Sequence, residues 1–164
     1  MGHPKIKGRS ALARRLRAAR RGGKRVVFTN GCFDLLHVGH VRYLQRAKRL
    51  GDLLVVGLNS DASVHRLKGP RRPLVPEAQR AEVLAALACV DFVTFFTEDT
   101  PLGLIEQLQP DVLVKGADWN KADIVGRRIV EKGGGRVARV RLVPGASTSR
   151  LVGRILKRYR RQPG

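Results

Sequence analysis

The chain has 164 residues, 43% of them hydrophobic and only 5% aromatic, and a formal net charge of +20. That length suits about one domain, whose core must lean on Val, Leu and Ala. No apolar run approaches the roughly 18–20 residues of a membrane span, and the two unrelated cysteines, Cys32 and Cys89, form neither a zinc motif nor a disulfide framework.

The positive charge is uneven. Residues 1–25 hold ten Lys/Arg and no acid, and residues 154–161 hold five more with no acid. Residues 26–153 carry 18 basic against 13 acidic side chains. Such ends can meet nucleic acid or an anionic surface. With few aromatics and no nucleic-acid-binding motif, solvated helix faces are the plainer reading. Neither nucleic acid nor a membrane is expected as a partner, and a nucleic-acid-binding module stays as the alternative from another class. Both thiols are expected reduced, in a cytoplasmic protein.

In chain order, Leu12, Leu16 and Ala19 fall at helical spacing over Ser10–Arg21, and Gly22-Gly23 stops that helix. Val26–Thr29 reads as a first strand and Val38–Leu50 as the next helix. Asp52–Leu58 has the continuous apolar run of a strand covered on both faces. Ser60–Leu67 is a short helix, and residues 68–73 form a basic loop broken by Gly69, Pro70 and Pro73. Pro76–Leu87 restarts a helix with Pro in its first turn. Asp91–Phe96 is a third strand, Pro101–Gln107 a helix and Asp111–Lys115 a fourth strand. Ala122–Lys132 is a helix stopped by three glycines, Arg136–Leu142 a fifth strand and Ser147–Arg158 a last helix with a frayed tail. The expected division is a basic N-terminal helix over 1–24, a catalytic domain over 25–157 and a basic tail over 158–164.

This alternation predicts a single Rossmann-like α/β domain, a five-stranded parallel sheet with helices on both faces. Ligands of such sheets sit beyond the carboxyl ends of the strands. Asn30–His40, Asn59–Asp61, Lys115–Trp119 and Pro144–Ser149 all fall at such ends and should converge on one cleft.

Four constellations carry chemistry. Gly31 allows a sharp turn after the first strand, and His37 and His40 bracket a helix start, where free N–H groups already favour anions. Two imidazoles there can donate to phosphate oxygens, and Gly39 would keep the approach of a nucleotide open. Ser147, Thr148 and Ser149 offer hydroxyls and N–H groups at a second helix start. Lys68 and Arg80 are favoured as phosphate-binding cations, and Arg71 and Arg72 as solvated ones. Lys115, Gly116 and Asp118 leave the fourth strand, with Asp118 able to accept from ribose hydroxyls.

The stretch from Asn30 to His40, together with Gly145-Ala146-Ser147-Thr148-Ser149, resembles the cytidylyltransferase-like nucleotidyltransferase superfamily. Phe28–Asp34, Arg66–Pro70 with Arg72-Pro73, Arg80–Leu84 and Val114–Gly116 are most similar to the heptose 1-phosphate adenylyltransferases within it. The resemblance covers roughly residues 10–156. It implies transfer of AMP from ATP to D-glycero-β-D-manno-heptose 1-phosphate, giving ADP-heptose, a lipopolysaccharide core precursor, and pyrophosphate. It implies that His37, His40 and Lys68 are catalytic and that Thr148 and Ser149 contact the outer phosphates. Thr29, Asn30 and Phe33 would line the nucleotide approach, and Asp34, Asn59, Lys68 and Arg80 would meet the second substrate. Mg²⁺ is implied mainly on the ATP phosphates, with no dedicated protein metal site. A homodimer is implied, as are a separate heptose kinase and phosphatase. Glycerol-3-phosphate cytidylyltransferases share much of this frame and remain an alternative of the same class.

Overall fold

The computed structural model describes residues 3–159. Its strands are β1 (Val26–Gly31), β2 (Leu53–Asn59), β3 (Phe92–Phe96), β4 (Val112–Gly116) and β5 (Arg136–Val140). They pair wholly in parallel, in the order β3-β2-β1-β4-β5. The helices are α1 (Arg9–Arg21), α2 (Val38–Lys48), α3 (Asp61–Lys68), α4 (Glu77–Ala86), α5 (Leu102–Leu108), α6 (Arg127–Lys132) and α7 (Thr148–Tyr159).

Strand alternation divides the core in two. Val27, Val56 and Val114 point to one face, where Tyr43, Leu44 and Ala47 of α2 and Ala81, Leu84 and Ala85 of α4 cover them. Phe28, Val55 and Leu113 point to the other, under Leu12 and Leu16 of α1 and Leu104, Ile105 and Leu108 of α5. The basic N-terminal helix is thus half of one core layer, with Leu12 and Leu16 fully buried. Ahead of it, residues 5–7 pair along the free edge of β3, through Val93 N–H to Lys5 O and Lys7 N–H to Val93 O, both at 2.9 Å.

Three boundaries differ from expectation. β1 runs on to Gly31, because Asn30 and Gly31 stay in register with Gly57 and Leu58. The helix expected over Ala122–Lys132 is broken into a 3-10 turn at Lys121–Asp123, an extended Ile124 and the short α6. Gly126 sits there at φ +85°, and a Cβ on it would lie 2.5 Å from Ile105 Cδ1, so the chain turns to let Ile124 reach the core. β5 stops at Val140, which leaves Leu142 to line the cleft. The frayed tail expected after residue 158 lies, from 160 on, outside the described residues. Among the described residues, no helix is long and apolar enough to cross a membrane.

Candidate active site

The strand order reverses between β1 and β4, because β1 is followed by β2 on one side while β4 adds on the other. The loops leaving these two strands part at that point and open a crevice. A cleft of about 660 Å³ occupies it, lined from the β1 end, the heads of α2 and α7, the loop after α3 and the β4 end. All four groups of residues that the sequence expects to converge contribute to it.

Of the residues named from sequence, Asn30, Gly31, Phe33, Asp34, His37, Gly39, His40, Asn59, Lys68, Lys115, Gly116, Asp118, Ser147, Thr148 and Ser149 line this cleft. Thr29 and Arg80 do not. Thr29 is fully buried, its hydroxyl 2.8 Å from Tyr43 Oη and donating to Val114 O at 3.1 Å. It ties β1 to α2 and β4 behind the cleft. Arg80 is also enclosed, with its side chain 0% exposed. Its guanidinium donates to Val75 O at 2.9 Å, to Cys32 O at 2.5 Å and to Asp61 Oδ1 at 2.6 Å. All three guanidinium nitrogens are thus engaged within the protein, and the side chain joins the β1 loop to the end of the basic loop.

His37 is the N-cap of α2, and its Nδ1 accepts from the backbone N–H of Gly39 at 3.1 Å. That bond fixes the proton of the neutral ring on Nε2, leaving an N–H donor on the other edge. His40 lies one turn on, its ring stacked on His37 at 3.8 Å between centroids and edge-on to Phe33 at 5.2 Å. Burial, with His37 beside it, pulls the His40 pKa down to about 4, and burial lowers His37 as well. Both rings are therefore neutral at pH 7. Among the described residues, His40 Nδ1 is buried without a hydrogen-bond partner, on a side chain that lines the cleft. Phe33 holds a left-handed backbone, φ +45°, strained for an aromatic residue, at the turn between Gly31 and the histidines.

Gly39 has a steric reason within the protein itself. A Cβ there would sit 2.8 Å from His37 Cε1 and 3.0 Å from Ala146 Cβ. The missing side chain makes room for the capping histidine and for the loop before α7, at a position that also lines the cleft. In that loop Ser147 caps α7, its Oγ accepting from Arg150 N–H at 3.2 Å. The hydroxyls of Thr148 and Ser149 thus stand at a helix N-terminus in the same cleft as the histidines.

Two anchors hold the cations. Asp34 is nearly buried and accepts from the N–H groups of Leu74 and Val75 at 2.8 and 2.9 Å, and it also pairs with Arg72. Its carboxylate is committed to the basic loop, and Arg72, expected to be solvated, is instead the partner that holds it. Lys68, at the start of that loop, is exposed and forms no ion pair among the described residues. Lys115 rises from buried β4, donates to Asn30 Oδ1 and lies 5.5 Å over the Trp119 ring. Burial lowers its pKa to about 8. Arg72, read from the sequence as solvated, lines the cleft, as does Tyr43, which the sequence reading did not single out. Tyr43 lies one turn after His40 on α2, a spacing that would have placed it beside the histidine.

Fold and cleft define a parallel-sheet α/β protein whose switch point brings two helix N-termini, two neutral histidines and two lysines into one cleft. The chain belongs to the cytidylyltransferase-like family, whose model matches residues 28–149. It is similar to the bifunctional protein HldE of Syntrophotalea carbinolica, 61% identical over 94% of this chain and 32% of that protein. It is also similar to the bifunctional protein HldE of Geotalea uraniireducens, 63% identical over 92% of this chain and 31% of that protein. The chain spans about a third of the length of these relatives. Among solved structures it is similar to the lipopolysaccharide core biosynthesis protein of Thermoplasma volcanium. That likeness has a TM-score of 0.61 and 32% identity, covering 74% of this chain and 98% of that one.

Proposed function

We propose that this chain transfers AMP from ATP to D-glycero-β-D-manno-heptose 1-phosphate, releasing pyrophosphate. The observation that carries the reading is the meeting of the stacked His37–His40 pair with the hydroxyl-bearing start of α7 in one switch-point cleft. The choice of a heptose phosphate rests on the motif resemblance around Asn30–Asp34 and Lys68–Pro70. The likeness to a lipopolysaccharide core biosynthesis protein supports it.

In this reading an oxygen of the sugar phosphate attacks the α-phosphorus of ATP. The bond from that phosphorus to the bridging oxygen breaks, and pyrophosphate leaves with the electron pair. No protein nucleophile is required, so the work of the site is alignment and charge stabilisation. His37 Nε2–H and the His40 ring donate to the transferring and leaving phosphates, and these bonds strengthen as charge builds. Thr148 and Ser149 hold the outer phosphates at the head of α7. Lys68 and Lys115 supply full positive charge. Asn30, Phe33, Gly116 and Asp118 bound the nucleoside, and Asn59 the acceptor side.

Mg²⁺ fits this cleft as a passenger on the triphosphate, where it neutralises phosphate charge when bound. Asp34 is committed to Arg72, and Asp99 to Arg66. Among the described residues, no three His, Cys, Asp or Glu side chains cluster to hold an ion by themselves. The setting is cytoplasmic, with the sugar 1-phosphate supplied by kinase and phosphatase reactions. The test is a matrix of pyrophosphate release with each nucleoside triphosphate against heptose 1-phosphate and glycerol 3-phosphate. ATP with heptose 1-phosphate is expected to be the productive pair. CTP with glycerol 3-phosphate as the sole productive pair would replace this reading with a polyol-phosphate cytidylyltransferase.

A further inference from the structure

Among the seven helices α1–α7, α7 alone has no buried residue. Its apolar side chains, Leu151, Val152, Ile155, Leu156 and Tyr159, recur at positions i, i+1, i+4, i+5 and i+8, which draws them into one stripe. Leu151 and Val152 are half-buried where the helix leaves the cleft. Beyond them the stripe runs into solvent, with Ile155 44%, Leu156 51% and Tyr159 76% exposed. Arg150, Arg154, Lys157 and Arg158 fill the adjoining sector, and the helix contains no acid. None of these four cations forms an ion pair among the described residues.

We propose that α7 docks the protein, peripherally, onto the surface of an anionic lipid bilayer, with Ile155, Leu156 and Tyr159 entering the headgroup boundary and the flanking cations meeting lipid phosphates. Charge complementarity selects this occupant. A second copy of α7 would bring four like charges against four, and the chain as a whole is at +20. Nucleic acid would answer the charge but leave the apolar stripe in water. An anionic bilayer satisfies both halves of the helix, and a basic amphipathic helix with aliphatic and aromatic residues on its other face is the form such contacts take. From composition alone the basic C-terminal residues read as solvated; the apolar face beside them, uncovered among the described residues, argues for a surface instead.

The test is co-sedimentation of the full chain with vesicles of phosphatidylglycerol in phosphatidylethanolamine, and with vesicles of phosphatidylcholine. Binding is expected to the anionic vesicles only, and to weaken as salt rises. Arg154→Ala is expected to lower the partition coefficient about fivefold. Ile155→Ser with Leu156→Ser is expected to lower it tenfold or more, with an unchanged circular dichroism spectrum, since both side chains are solvent-facing in the free protein. Absence of vesicle binding would overturn the proposal, as would binding that the double serine variant retains in full. A dimer that the same variant converts to monomer in light scattering, without vesicle binding, would give the stripe to a second copy. RNA retention that Arg154→Ala weakens and the double serine variant keeps, again without vesicle binding, would give the helix to nucleic acid.

Discussion

Arg80 separates the motif-based and the structural views of this site. Arg80→Met keeps the aliphatic stem and removes the guanidinium. Asp61, 36% exposed, can rehydrate and contributes little to the loss. The carbonyls of Val75 and Cys32 lose their donor in an enclosed space, at about 1–3 kcal/mol each. The two carbonyls together put the cost at about 2–6 kcal/mol. A domain of this size loses about 2–4 °C of melting temperature per kcal/mol, so the midpoint should drop by roughly 10 °C. Thermal unfolding by circular dichroism and urea titration measure this, alongside kcat and KM at a temperature where both proteins are folded. Activity should fall only through the loosened loops. An unchanged midpoint with kcat/KM reduced a hundredfold or more would mean that Arg80 touches substrate, and would refute the structural assignment.

His40→Ala should reduce kcat by roughly 10²–10³ with little change in melting temperature, read by steady-state pyrophosphate release. Gly39→Ala should cost a comparable share of kcat, because its Cβ displaces the His37 ring that caps α2; wild-type kcat in that variant would remove the steric argument. Lys115 should give the pH profile an alkaline limb near pH 8, where it loses its proton and the cleft loses a charge. Its effect on stability has the opposite sign. Between about pH 8 and its unfolded value near 10.4, the unfolded state binds more protons than the folded one, so stability rises with pH there. Lys115→Met should abolish both trends, as followed by KM for ATP and urea midpoints across that range.

The sheet was legible because each apolar run is short, bounded by Gly or Asp, and separated from the next by a helical stretch. The break at Gly126 was not, because Ile124, Ile129 and Val130 still fit a helical spacing while the chain between them turns. Position in a motif also says nothing about which way a side chain points. Strand alternation would have turned Thr29 away from its neighbour Asn30, and the stripe Arg80, Ala81, Leu84, Ala85 already places Arg80 on the inward face of α4. Both signals were local; resemblance outweighed the one at Thr29, and the charge chemistry of a phosphate-binding Arg the one at Arg80. The Asp34–Arg72 pair was illegible for a different reason: it joins residues 38 apart through a loop whose path no periodicity encodes.

The stacked histidines divide the labour of the site. Two imidazolium rings 3.8 Å apart would repel, and burial adds to that penalty, so the pair is stable only when neutral. Neutral donors attract a resting phosphate weakly and gain most when charge concentrates on the oxygens during transfer. In the proposed reaction, Lys68 and Lys115 would attract the triphosphate as cations before and during transfer alike. Loss of a histidine should therefore appear mainly in kcat, and loss of Lys68 largely in KM. If Lys68→Ala instead lowered kcat as far as His40→Ala at unchanged KM, the lysine would have to follow the migrating charge, and the basic loop would have to close over the cleft during the chemical step.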